Sequence, residues 1–283
     1  MGSFFILIYN YKFINMLKIN CELPKCMLED NNELNEYDFV LFHLYIKDAE
    51  YREFFRNQRN RLTILDNSAY EFFIKGEALD LEEYKRVIDE LQPDYYILPD
   101  VLMKLNETKH NTFEFLSKYK PTNTKSKPIG VLQGNSTEDF LNCMDFYKGQ
   151  GIDAIAIPFH NSFFVDMSNN EKVESNFKKE LGKITLDMRY AIGRVTWIRN
   201  WEERLKEFNH IHILGSHCPF EKVYYRDFQT MDTGYPVKCG IAGYDLFEEP
   251  KKPNVIIDDF MNTDLLEKTK SLIRGNIQKF TWI

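Results

Sequence analysis

Short runs of β-branched and aromatic residues alternate along the chain with longer segments whose apolar positions recur every three or four residues. That switching of period predicts successive βα units around a parallel sheet. Strands are predicted at Phe39–Tyr45, Leu62–Asp66, Tyr95–Asp100, Ile129–Gln133, Ala154–Pro158, Ile211–Gly215 and Phe228–Asp232, with a last one near Val255–Ile257. Between them, Leu81, Tyr84, Val87, Ile88 and Leu91 give the spacing of a helix packed on a sheet. Ser136 or Thr137 is placed to cap a helix carrying Phe140, Cys143, Met144 and Tyr147, which Gly149 and Gly151 would end. Asp187–Phe208 and Asn262–Ile277 read as further helices. The polar stretch Asn161–Lys179 breaks the rhythm and reads as a loop or lid.

This rhythm within 283 residues favours one domain, an α/β (β/α)8 barrel of TIM type, because such barrels occupy roughly 250 residues. The run Phe4–Tyr9 is apolar, but Asn10 and Lys12 cut it off far short of the ~20 residues a membrane span needs. Residues 1–35 are therefore read as an N-terminal strand or hairpin extension of a protein with no membrane partner.

The net charge of −7 is the wrong sign for coating nucleic acid nonspecifically. A nucleic-acid substrate would need a local basic surface, from Lys118, Lys120, Lys125 and Lys127 or from Arg189, Arg194, Arg199 and Arg204. Either group reads equally well as a solvated face. Five scattered cysteines, Cys21, Cys26, Cys143, Cys218 and Cys239, suggest a reducing compartment, and the protein is expected in the cytoplasm, of a host cell if phage-encoded.

Four predicted strands end in polar groups: Asp66-Asn67-Ser68, Asp100, Gln133-Gly134 and Asp232-Thr233. In a parallel barrel the C-terminal strand ends share one mouth, where neighbouring carboxyl groups divide into acid and base roles. Taken singly, each could be a turn or helix cap; their repetition at one place in successive units favours chemistry.

Ile64-Leu65-Asp66-Asn67-Ser68-Ala69-Tyr70-Glu71 resembles the Asp-Ser-Gly-Gly-Phe-Gln segment of the tRNA-guanine transglycosylases. Ile129-Gly130-Val131-Leu132-Gln133-Gly134 is similar to their Gly-x-Val-Gln-Gly strand, and Gly151 to Ile157 to their Gly-Phe-Asp-Gly-Tyr-Ala-Ile. His212-Ile213-Leu214-Gly215, followed by Phe228-Gln229-Thr230-Met231-Asp232, looks like the strand pair that ends in the family's nucleophile. The resemblance covers roughly residues 60–245, in order. It implies that Asp232 attacks C1′ of the target nucleotide and Asp66 handles protons on the base. Asp100 and Gln133 would bind the base edge, Gly134 would let the backbone approach, and Ser68 would assist. Tyr70 or Phe159 would sandwich the extruded base; taken without the resemblance, both aromatics read equally as core residues. Lys238, Arg194 and Arg199 are the candidate nucleic-acid contacts.

The chain departs from the family in lacking its Cys-x-Cys-x-x-Cys zinc run, so no zinc subdomain and no metal are expected. Pro158-Phe159-His160 stands where the family has Gly-Gly-Leu, and Thr233 to Lys238 lacks its basic RNA-gripping element. These departures point to the compact relatives in phages and bacterial gene clusters. Such enzymes replace guanine in DNA with 7-cyano-7-deazaguanine or a related base. The expected partners are thus nucleic acid, DNA before tRNA, and a free 7-deazaguanine base, with no cofactor and no ATP. Two alternatives stay open: action on tRNA, and a catalytically silent nucleic-acid-binding subunit. An aldolase or phosphate-binding barrel would want a Schiff-base lysine at a strand end or a glycine-rich phosphate loop, and neither stands out.

Overall fold

The structure, a computed structural model, describes residues 17–58, 60–119, 125–159, 161–169, 184–246 and 264–282. Its strands are β1 (Lys18–Cys21), β2 (Asp38–Leu41), β3 (Thr63–Asp66), β4 (Tyr95–Ile97), β5 (Lys127–Val131), β6 (Ala154–Ile157), β7 (His210–Ile213) and β8 (Thr230–Thr233). All pair in parallel in the order β1-β8-β7-β6-β5-β4-β3-β2. Helices alternate with them, which makes the fold a (β/α)8 barrel of TIM type. In chain order they are α1 (Asn31–Leu34), α2 (Phe42–Lys47), α3 (Ala49–Asn57), α4 (Ala69–Lys75), α5 (Leu81–Leu91) and α6 (Leu105–Lys118). Then come α7 (Thr137–Gly149), α8 (Ser162–Ser168), α9 (Leu186–Asn200), α10 (Glu202–Leu205), α11 (Tyr235–Ile241) and α12 (Glu267–Trp282).

No ladder joins β1 to β2; side-chain hydrogen bonds and an isolated backbone hydrogen bond close that seam instead. Asn35 Oδ1 accepts from Cys21 N at 2.7 Å, Asn20 Nδ2 donates to Tyr37 O at 2.8 Å, and Glu36 N donates to Ile19 O at 3.1 Å. This satisfies the edge groups that an open barrel would leave bare. The core fills the barrel and the layer beneath the helices, and every residue of β6 is fully buried.

Several expectations need correction. Residues 18–21 are a barrel strand, so the N-terminal extension does not reach residue 35; Phe4–Tyr9 and Val255–Ile257 lie outside the described residues. β2 stops at Leu41, and the residues expected to continue it, Phe42–Tyr45, are helical. Its partner β3 ends at Asp66, and Ser68 Oγ accepts the His43 N–H at 3.1 Å, so no ladder is left to extend. In the expected loop, residues 161–169 hold α8 instead, capped by Asn161 and anchored by buried Phe163 and Phe164; residues 170–179 lie outside the described residues. Asp187–Phe208 divides at Trp201 into α9 and α10.

No helix among the described residues is long and apolar enough to cross a membrane. The five cysteines are all free thiols.

Candidate active site

The C-terminal strand ends surround a cleft with about 950 Å³ of empty space, open solvent included. Asp66, Asp100, Gln133 and Asp232 line it together, with Glu22 and Glu71. The turns that present them are held by their own side chains. Asp66 Oδ2 accepts from Ser68 N at 2.7 Å and Asn67 Oδ1 from Ala69 N at 2.8 Å, which puts Ser68 at φ 58. Met103, at φ 60, is fixed by its N–H on Gln133 Oε1 at 2.7 Å. Left-handed non-glycine residues cost on the order of 1–3 kcal/mol each and gather where geometry matters for function.

Asp232 is 4% exposed. Its Oδ1 takes two donors, His212 Nε2 at 3.1 Å and the Gly215 N–H at 3.0 Å. His212 Nδ1 lies 2.9 Å from Thr230 Oγ1, which lies 2.8 Å from His210 Nε2. With Asp232 ionised, His212 donates through Nε2, accepts from Thr230 through Nδ1, and Thr230 accepts from His210. His210 remains neutral, since burial and then repulsion by His212 pull it down to about 3. The effect is a carboxylate oriented through one oxygen, with Oδ2 left out of this network.

Asp66 is the complement. Burial, then repulsion by Glu71, raises its carboxyl well above the usual range, against the Ser68 N–H that favours the ionised form. Asp100 accepts from Asn67 Nδ2 at 2.7 Å on one oxygen and from Gln133 Nε2 at 2.7 Å on the other. Burial raises it too, and these two donors hold it back. The Asn67–Asp100–Gln133 array is thus a rigid polar edge on one side of the cleft.

The other predicted residues divide. Tyr70, 41% exposed, and Phe159, 4% exposed, both line the cleft. Phe159 is also packed, with the Arg194 guanidinium 4.8 Å from its ring centre and His217 at 4.9 Å. Lys238, on α11, lines the cleft as well. Ser68 does not: it is fully buried with its Oγ 2.9 Å from His43 Nδ1. Gly134 is off the lining too. Its φ of 149 and the 2.2 Å at which an added Cβ would meet Asp139 Cβ explain the glycine by backbone fit against α7.

The two arginines are not surface contacts at the mouth. Arg194 is fully buried, donating to the carbonyls of Leu214 at 2.9 Å and Gly215 at 2.8 Å and to Glu221 at 2.9 Å. It holds the β7 turn that presents the Gly215 N–H to Asp232. Arg199 is exposed in the last turn of α9, stacked 4.4 Å from the Tyr224 ring centre. Because α9 returns the chain to the start of β7, that end lies away from the mouth.

Sequence reasoning missed Glu22, Glu71 and His217 as site residues, and named Asn67 only as part of a polar strand end; all four line the cleft. Glu22 follows β1 as Asp66 ends β3, so a polar strand end was the available signal. It stayed hidden because β1 fell inside the presumed extension. Burial and then repulsion from Asp232 push Glu22 up to about 8, against the pull of Lys238.

Among the described residues no three His, Cys, Asp or Glu side chains are grouped to hold a metal ion. No family model matches the chain, and no curated protein matches it either.

Proposed function

We propose that the protein is a base-exchange transglycosylase that replaces guanine in DNA with a 7-deazaguanine base through a covalent Asp232 intermediate. The observation that carries this reading is the pairing of an oriented carboxylate, Asp232, with a carboxyl biased toward its neutral form, Asp66, in one cleft.

In the first half-reaction an Asp232 oxygen attacks C1′ of the target nucleotide and the C1′–N9 bond breaks, its electron pair leaving with guanine. The proton that neutralises the departing base comes from Asp66. In the second half the incoming base gives a proton to Asp66, its N9 attacks C1′, and the ester bond to Asp232 breaks. An oxocarbenium-like centre stabilised and then trapped by a carboxylate is the logic of retaining glycosidases. Asp100 and Gln133 offer a fixed hydrogen-bonding edge for the purine-like base, and half-exposed Tyr70 offers a face for stacking, with packed Phe159 as cleft wall.

The preference for DNA over tRNA rests on the absence from the sequence of the zinc run and the basic RNA-gripping element. Labelled guanine or 7-cyano-7-deazaguanine, incubated with duplex DNA or bulk tRNA, tests the proposal. Label entering DNA with the wild type and not with Asp232→Ala supports it. Label entering tRNA alone keeps the chemistry and corrects the acceptor; label in neither favours the silent binding subunit.

A further inference from the structure

We propose that Glu22 is a positioning residue for this reaction, holding the single proton that it shares with Asp232 across the β1–β8 edge and leaving Asp232 as the attacking carboxylate. The role in catalysis rests on the transglycosylase reading; the shared proton does not.

The geometry starts from the ladder. Asn20 pairs with Asp232 and Cys21 with Thr233, and Glu22 N donates to Thr233 O at 3.1 Å, so Glu22 emerges at the mouth beside Asp232. Both line the cleft. Glu22 Oε2 is enclosed, and no N–H or O–H donor among the described residues reaches it. An ionised oxygen in that position would be desolvated with nothing in return, whereas a neutral carboxyl that donates to Asp232 is satisfied. Gly234 makes the room: a methyl group there would sit 2.9 Å from Glu22 Oε2 and 3.2 Å from Lys238 Cε.

The groups that face Glu22 agree. Asp232 on β8 and Glu71 on α4 repel its charge, and Lys238 on α11 is the cation that opposes them. Cys21 on its own strand, Tyr37 at the seam and Tyr51 on α3 are buried neutral neighbours within electrostatic reach. Burial and the Asp232 charge together hold the Glu22 proton up to about pH 8. Around neutral pH Glu22 therefore keeps its proton and donates its O–H to Asp232. When Asp232 forms its bond to C1′, Glu22 keeps its proton; when the ester breaks, the same O–H stabilises the returning carboxylate. No atom or electron beyond those of base exchange is needed. Above about pH 8 Glu22 ionises, and Asp232 loses that O–H donor and gains a repelling neighbour.

The test is infrared titration of the full chain from acid to alkaline pH, following the protonated-carboxyl band in wild type, Glu22→Gln and Asp232→Asn, each checked for its fold by circular dichroism. The expected result is a component of the band lost near pH 8 in wild type, missing from Glu22→Gln while the Asp66 component stays, and lost at lower pH in Asp232→Asn, where the repulsion is gone. Identical titrations in wild type and Glu22→Gln would overturn the shared proton. Exchange kinetics supply the second readout. Glu22→Gln, which keeps a donor, should slow exchange severalfold at neutral pH while moving the alkaline fall in kcat/KM upward; an unmoved fall would overturn the positioning role. A Glu22 band near pH 8 in a protein with no exchange activity would leave the shared proton standing and remove the transglycosylase reading.

Discussion

At the scale of single residues, the site separates one carboxylate from its neighbours by what each touches. Asp232 receives His212 and Gly215 on one oxygen, while Asp66 is surrounded by burial and by Glu71. Asp232→Asn should therefore abolish exchange, by on the order of 10³-fold or more, as removal of a nucleophile does. Circular dichroism should stay native, because the amide still accepts from the same donors. Asp66→Asn should cost about 10²–10⁴-fold, the usual worth of a positioned acid or base. A loss below tenfold in single-turnover assays would remove Asp66 from proton transfer. The raised Glu22 also fixes a sign for stability. Between its unfolded value of 4.5 and its folded value of about 8, the folded state keeps a proton that the unfolded chain has released. Stability therefore falls as pH rises through that window. Thermal melts should show Glu22→Gln gaining on wild type toward pH 8 to 9 and matching it near pH 4; a gap of the same size at every pH would contradict this.

At the scale of elements, the β7 turn is held from below. Arg194 and Glu221 are both buried, and Tyr225 Oη donates to Glu221 at 2.7 Å while Arg194 grips the Leu214 and Gly215 carbonyls. Arg194→Met strands a buried carboxylate, which costs about 3–5 kcal/mol, and loosens the Gly215 N–H. Urea melts should report the first effect, and a kcat loss at unchanged KM in the surviving folded fraction the second. The strands β2 to β8 are legible in the sequence because their apolar runs are continuous, and four of the predicted runs end in polar groups. β1 is not, since Lys18-Ile19-Asn20-Cys21 is short and half polar and becomes a strand only by pairing with β8. Glu22 went unseen for that reason. The polarity of residues 161–169 also misled, because Asn161 is polar as a helix cap and not as loop solvent surface. Arg194 looked like a surface cation, since charge in a sequence carries no sign of the Glu221 that neutralises it 27 positions later.

At the scale of the whole molecule, a net charge of −7 and a mouth lined by five carboxyl residues with Lys238 as the sole Lys or Arg among its described lining residues leave little general attraction for a polyanion. DNA binding should accordingly show a shallow salt dependence, and Lys238→Ala should reduce its log–log slope by about one unit if Lys238 meets a phosphate. Arg199→Ala, at the far end of α9, should leave the slope unchanged; equal effects from both would mean the mouth is not where DNA lies. The central claim, that Asp232 forms a bond to the sugar, is tested most directly by trapping. Wild type and Asp232→Asn would be mixed with a guanine-containing oligonucleotide without incoming base, quenched in denaturant and weighed by intact mass spectrometry, with peptide mapping of any adduct. A protein–oligonucleotide adduct less one guanine, mapped to Asp232 and missing from Asp232→Asn, is the predicted result. An adduct on another residue, or none with either DNA or RNA oligonucleotides, would contradict it.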